Sequence, residues 1–453
     1  MLLRAALSRY AESAAIISGL SAGVEASLAG ACGRAGGAQR AIAARAGGAG
    51  GESDGVGGRD GFAAASAPQQ DRYIGAYTPV TKRLWAERLQ WHTRGEAAQA
   101  PGAPAPAGAA PGPRPPEATG VVYPFTADEG LVECYANPWR GVRIGRLLED
   151  LDSLAGSVAL RHCAVPGRRP PHLVTAGVDA IHLKRPLLLD RDLTLEGQVA
   201  WTGRSSLDIR MTLAQPGPHP GPSLVAIFSF VSLGGDGRAT AVPPLAPATD
   251  EQRVLFAERQ AVADARKAAR AAAAAKGGDL QVPLAVQAHL DELVAAARVV
   301  RDVPALASPH DMLMAQTRLE NTFTCQPQQR NPYGRVFGGF LLRRAFELGF
   351  ATCYLFAGSR PVFDCVDDVQ FKKPVDVGDL MRLRSCVLHA EGDRVVVVVE
   401  ASVIAPERLA SSPTNAFTFT FRAAPSGAHS RLRRVLPGGQ SDLRRLEAHF
   451  ADL

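Results

Sequence analysis

The feature that most limits what this chain can fold into is an internal repeat. Residues 178–193, VDAIHLKRPLLLDRDL, lie over residues 366–380, VDDVQFKKPVDVGDL. The two segments share Val-Asp, a β-type alternation, two basic residues and a Pro, with one residue of slip afterwards. Ahead of each lies a helical pattern, and ahead of the helix each copy carries Asn-Pro-aromatic: Asn137, Pro138, Trp139 and Asn331, Pro332, Tyr333. In both copies the Asn stands eight residues before the Gly that opens the helix, Gly145 and Gly339. Two copies of one helix-plus-antiparallel-strands unit are therefore expected.

The remaining chain supports that division. Runs of β character are 173–183, 193–201, 206–213 and 224–233 in the first copy, and 362–371, 380–388, 394–404 and 415–423 in the second. Between the copies, the Ala-rich 250–276 reads as a connecting helix. Domain limits follow: 119–250 and 309–425 for the two units, and 251–308 for a helical connector. A short helical piece and a Pro/Ala linker (71–118) precede them, and a C-terminal tail (426–453) follows. Ordered structure is expected to begin near Gly120.

The first 70 residues are rich in Ala, Gly, Ser and Arg, with Arg4, Arg9, Arg34, Arg40 and Arg45 against Glu12 and Glu25 in the first fifty. An Arg-bearing amphipathic start without a compact apolar core reads as an organelle transit peptide, for the mitochondrial matrix ahead of the plastid, with a disordered tail as the alternative for residues 1–70. The GLSAG at residues 19–23 matches a nucleophile-elbow pattern by chance, because no buried strand can precede it. With 50 basic and 44 acidic side chains the formal charge is only +6, so no nucleic-acid footprint is indicated. No apolar run is long enough for a membrane span. Seven scattered cysteines without a CxxC pair read as reduced thiols rather than a disulfide framework or a zinc site. No cofactor and no metal is called for.

The chemistry gathers at the helix starts. Gly338 and Gly339 open the second helix, where backbone N–H groups lack intrahelical partners and the helix dipole favours negative charge. On the first helix, Leu147, Leu148, Leu151, Leu154 and Val158 form the apolar stripe and Asp152 falls on its edge. Partial desolvation there raises a carboxylate's pKa. Taken singly, Asn331 reads as a turn residue and Asp152 as a solvated carboxylate.

The Asn, the Gly-Gly helix start and an Asp two turns along a helix resemble the hotdog-fold acyl-CoA thioesterases. The duplicated arrangement is carried by RIGRLLEDLDSLAG in copy one and RVFGGFLLRRAFELG followed by FAGSRP in copy two. It resembles the acyl-CoA thioesterase 9 group of mitochondrial double-hotdog enzymes, over residues 119–424. The resemblance implies an α+β fold, a tandem double hotdog in which each unit wraps an antiparallel sheet around a long central helix. It implies a composite site where the units meet, one giving the Asn and a glycine N–H and the other giving the Asp seven residues after its own helix Gly.

Gly145 plus seven is Asp152, which matches; Gly339 plus seven is Phe346, with Glu347 displaced by one. One site is then Asp152, Asn331 and Gly338, and a second, degenerate one contains Asn137 and Glu347. Gly339, Lys372 and Lys373 are expected to bind substrate, the lysines by meeting CoA phosphates, as Lys184 and Arg185 also could. The implied activity is hydrolysis of acyl-CoA by a homo-oligomer of double hotdogs. A catalytically silent acyl-CoA-binding or assembly protein is the alternative. A hotdog hydratase lacks its paired Asp and His motif here.

Overall fold

The computed structural model describes residues 77–97, 112–165, 170–218, 221–234, 236–275, 283–425 and 431–451. The expected transit peptide and the GLSAG match lie outside the described residues. The first unit runs α1 (Pro79–Ala97), β1 (Thr119–Tyr123), α2 (Glu129–Tyr135), α3 (Ile144–Cys163), β2 (His172–Leu183), β3 (Leu193–Thr202), β4 (Ser206–Ala214) and β5 (Leu224–Leu233). Two helices, α4 (Asp250–Ala275) and α5 (Leu284–Asp302), lead to the second unit. That unit comprises β6 (Asp311–Leu313), β7 (Leu319–Thr324), α6 (Gly338–Ala357), β8 (Val362–Phe371), β9 (Leu380–Glu391), β10 (Arg394–Ala405), β11 (Ala410–Arg422), β12 (Arg434–Leu436) and α7 (Gln440–Ala451).

Ten strands form one sheet in the order β1-β3-β4-β5-β2-β8-β11-β10-β9-β7. Each half is the other's counterpart, and they join where the repeated segment pairs with itself: Val178 lies opposite Val369, and Ile181 opposite Val366. Most strands alternate as a sheet with one face on a core must, while in β10 Val396 and Val398 on the other face are covered as well. Leu224, Ala226, Phe228 and Phe230 of β5 are buried, as are Val395, Val397, Val399 and Ala401 of β10 and Phe417, Phe419 and Phe421 of β11. Against this face α3 and α6 pack side by side, α3 through its Leu stripe and α6 through Leu341, Ala345 and Thr352. The fold is the tandem double hotdog.

At the helix–helix contact, Glu149 of α3 and Arg343 of α6, each four residues after its helix Gly, meet at 3.5 Å. Burial pushes the Glu149 carboxyl up to about 7, against the pull of Arg343.

Ordered packing does not begin near Gly120. Tyr77, Val80, Leu84 and Trp85, in and just ahead of α1, lie in the same core as the Leu stripe of α3. Thr78 Oγ1 and Thr81 Oγ1 (2.7 Å) both donate to Asp150, a fully buried carboxylate that also accepts from Tyr123 OH (3.1 Å) and Tyr135 OH (2.5 Å). Four donors hold one buried carboxyl group, and two of them come from the piece ahead of residue 119 that the sequence sets apart. The C-terminal residues are likewise built in. β12 pairs in parallel with β6, Leu446 and Phe450 of α7 are buried, and Arg445 pairs with Glu400 at 2.8 Å. The connector helix α4 is docked too: its Arg259 binds Asp208 (2.7 Å) and Asp179, and Gln260 accepts from Trp201 Nε1 at 2.8 Å.

Candidate active site

The site stands where α3 meets the first turn of α6. Asp152 Oδ2 accepts from the Gly339 N–H at 2.7 Å, and Oδ1 accepts from Thr175 Oγ1 of β2 at 2.9 Å. The donor to Asp152 is the second glycine of the pair; Gly338, expected to face the substrate carbonyl, is not engaged by the carboxylate. Gly338 is the first residue of α6, so its N–H has no acceptor within the helix. The glycines permit this close approach. A Cβ on Gly338 would come within 3.2 Å of Asp152 Oδ2 and 3.3 Å of the Phe371 ring, and one on Gly339 within 2.8 Å of the Phe337 ring.

Asp152 is 3% exposed. Burial lifts its pKa to about 6, opposed by the hydrogen bonds from Thr175 and Gly339 and by the charge of Arg88. Near neutral pH it is mostly ionised yet desolvated, the state in which a carboxylate is a useful base.

Asn331 lies in the loop ahead of α6, and its Oδ1 accepts from the N–H groups of Tyr333 (2.9 Å) and Arg335 (3.1 Å). Asn137 does the same for Trp139 and Gly141, each at 2.9 Å, and donates from Nδ2 to Val142 O at 3.2 Å. Both asparagines therefore close the turn that leads into their helix. The Asn331 oxygen is committed, which leaves its Nδ2 amide for other contacts.

The second composite position has a different character. A Cβ on Gly145 would meet the Phe346 ring at 3.4 Å, where Gly339 meets Asp152. Phe346 packs on Phe363 at 5.3 Å between centroids. Phe363 holds in β8 the place of Thr175 in β2: each sits beside a one-residue bulge and pairs with the corresponding Phe of the next strand, Phe421 and Phe230. The carboxylate and its hydrogen-bonding Thr have thus been exchanged together for two rings. Glu347 stands beside this helix start, its Cγ 3.7 Å from where a Cβ on Gly145 would lie, and its carboxylate is paired with Arg143 at 2.5 Å and lies 3.8 Å from Arg344.

Lys372 and Lys373 follow directly on Phe371, whose ring borders Gly338. They line a cavity of about 510 Å³ together with Arg382, Arg384 and Asn415. Arg384 is paired with Glu320 at 3.1 Å. Among the described residues no His/Cys/Asp/Glu cluster could hold a metal ion.

The thioesterase superfamily signature matches residues 145–219, the stretch from the helix Gly through Asp152 and Thr175. Acyl-coenzyme A thioesterase 2, chloroplastic, of Humulus lupulus is 40% identical over 348 residues, covering 72% of this chain and 78% of its own. The chain belongs to the acyl-CoA thioesterase family. The human family member acyl-coenzyme A thioesterase 9, mitochondrial, is 33% identical over 315 residues, covering 66% of this chain and 70% of its own. Acyl-coenzyme A thioesterase 4, mitochondrial, of Humulus lupulus is 43% identical over 343 residues, which span 72% of this chain but 64% of that relative's length.

Two residues of this family member escaped the sequence reading. Thr175 carried a signal, since aligning the repeated strands sets it against Phe363 just as Asp152 is set against Phe346. Arg88 carried none, because it lies ahead of the repeat.

Proposed function

We propose that this chain hydrolyses acyl-CoA thioesters to CoA and free fatty acid at one composite site, with Asp152 from the first hotdog and Gly338 and Asn331 from the second. The observation that carries the proposal is the desolvated Asp152 carboxylate, 2.7 Å from a backbone N–H at the start of a buried helix. Both carboxylate oxygens already accept one hydrogen bond, which suits a base that holds and deprotonates water better than a direct nucleophile. Asp152 takes a proton from water as the water oxygen attacks the thioester carbon. The carbonyl oxygen becomes an oxyanion facing the Gly338 N–H and the positive end of α6, with the Asn331 Nδ2 amide as a further donor. Collapse breaks the C–S bond, and the proton held by Asp152 goes to the departing CoA sulfur. Release of free thiol from a series of short, medium and long acyl-CoAs tests this; folded protein that releases none from any of them contradicts it.

The silent-protein reading is favoured for the second composite position alone, where Phe346 and Phe363 stand in place of a carboxylate and a hydroxyl.

Lys372 and Lys373, which follow the ring that borders Gly338, and Arg382 of β9, which lines the same cavity, are assigned to the CoA phosphates. Lys372→Ala with Lys373→Ala is expected to raise KM about tenfold, the equivalent of roughly 1.4 kcal/mol, with kcat changed less than about twofold. The effect should shrink in high salt as screening replaces the lost charges. A lower kcat at constant KM would contradict the assignment.

The relatives are labelled mitochondrial or chloroplastic, and an organelle is the expected compartment, the mitochondrial matrix being the finer reading from the Arg-bearing start of the chain. The strands β1 and β7 end the ten-stranded sheet, and such edges favour a homo-oligomer.

A further inference from the structure

We infer that Arg88, carried by α1, is a positioning residue of the active site: its guanidinium lies over α3 at Gly156, one turn beyond Asp152, and keeps that carboxylate anionic and in place. The inference rests on the reading of Asp152 as the base. Arg88 is 6% exposed, and its Nε is buried with no acceptor among the described residues. A buried guanidinium without a paired anion is costly, so one kept in such a place calls for a nearby negative charge to offset it.

The seat is built for it. A Cβ on Gly156 would come within 2.7 Å of Arg88 Nη1 and 3.3 Å of Nη2, so the guanidinium rests where only a glycine leaves space. Glycine in mid-helix is unfavourable on its own account. The repeat shows what stands there without the requirement: Phe350 of α6 holds the place of Gly156, as Phe346 holds that of Asp152 and Phe363 that of Thr175. Carboxylate, hydroxyl and glycine were replaced together by three aromatic rings. This is the pattern expected if the glycine serves the carboxylate's neighbour rather than the helix.

The groups facing Asp152 are few. From β2 comes the Thr175 hydroxyl and from α6 the Gly339 N–H. From α1 comes Arg88, whose charge lowers the Asp152 pKa. On α3 itself, Glu149 is turned to Arg146 and Arg343, and Asp150 to Thr78, Thr81, Tyr123 and Tyr135. The helix that carries Arg88 is fixed to both halves of the site. Thr78 and Thr81 bind Asp150, while Tyr77 and Trp85 pack at 5.8 and 4.9 Å on Phe337, the residue before Gly338.

The test is the pH profile of kcat/KM for the full chain and for Arg88→Met, Arg88→Lys and Gly156→Ala, with Asp152→Asn as control. Arg88→Met should move the acid limb up by roughly one pH unit, a loss of about fivefold at pH 6 that falls below twofold at pH 8.5. Arg88→Lys should restore most of the shift. Gly156→Ala, which helix propensity favours, displaces the guanidinium without removing it and should move the limb in the same direction. It carries the test if Arg88→Met does not fold. An unmoved limb in both variants, or a loss equal at every pH, overturns the role of Arg88 while leaving Asp152 as the base. An Asp152→Asn variant with full turnover overturns both.

Discussion

Asp152→Asn is expected to lower turnover by roughly 10² to 10⁴ and, at the same time, to raise thermal stability. The two effects share one cause. In the folded chain burial pushes Asp152 up to about 6 from an ordinary 3.8, so folding disfavours its ionised form. The stability this group contributes is fully present below its unfolded value and is lost as pH rises through about 6. By pH 8 ionised Asp152 therefore carries a penalty on the order of 3 kcal/mol. An amide avoids the penalty and can still accept from the Gly339 N–H and donate to the Thr175 hydroxyl. After the loss of two charge-assisted hydrogen bonds, a gain of about 1 kcal/mol and one to a few degrees in melting temperature is expected at pH 8. The gain should largely vanish near pH 4, where the wild-type carboxyl is protonated in the folded chain. Melting curves of the two proteins at pH 4, 6 and 8 check the sign. An Asn variant that is inactive because it is unstable at pH 8 would point to a structural role for the carboxylate.

Removing α1 is expected to have the larger effect on stability. A chain that starts at Thr119 loses Tyr77, Val80, Leu84 and Trp85 from the core. At roughly 2 kcal/mol for each buried side chain, the sum is on the order of 8 kcal/mol, comparable to the whole stability of a typical domain. It also strips two of four donors from Asp150, at a further 1 to 3 kcal/mol for each donor lost from a buried carboxylate. The truncated chain should therefore be insoluble or inactive, whereas a chain starting just ahead of Tyr77 should keep yield and turnover. Soluble yield, melting temperature and thiol release for the two lengths test this. Wild-type behaviour from the shorter chain would show α1 to be dispensable.

The contrast between α1 and the central strands shows what a sequence can carry. β2–β5 and β8–β11 were readable because alternating residues face one core, and because the segment that joins the halves occurs twice. The edge strand β7, LENTFT, has no buried residue and so no alternation to read. In α1 the inward residues are few, and their partners, Asp150 and Phe337, lie far along the chain. Periodicity within the segment therefore says nothing of where it docks. The same division runs through the site. The helix start led to the Gly pair as a local feature of one helix, whereas Asp152 was singled out by the offset of seven from Gly145 that the family resemblance implies. Which glycine N–H meets the carboxylate depends on how two helices cross, which no local pattern in either helix carries. The asparagines were legible as a repeated feature, yet their oxygens close the turn before each helix, a role their position before Pro had already suggested.

The most direct test of a single productive site is thiol release by Asp152→Asn and Glu347→Gln, measured side by side at matched concentration and matched thermal stability. Asp152→Asn should lose at least about a hundredfold. Glu347→Gln, which breaks only the contacts to Arg143 and Arg344, should stay within about threefold of wild type. The opposite result, with turnover abolished by Glu347→Gln and intact in Asp152→Asn, would move the active site to the other junction and contradict the account.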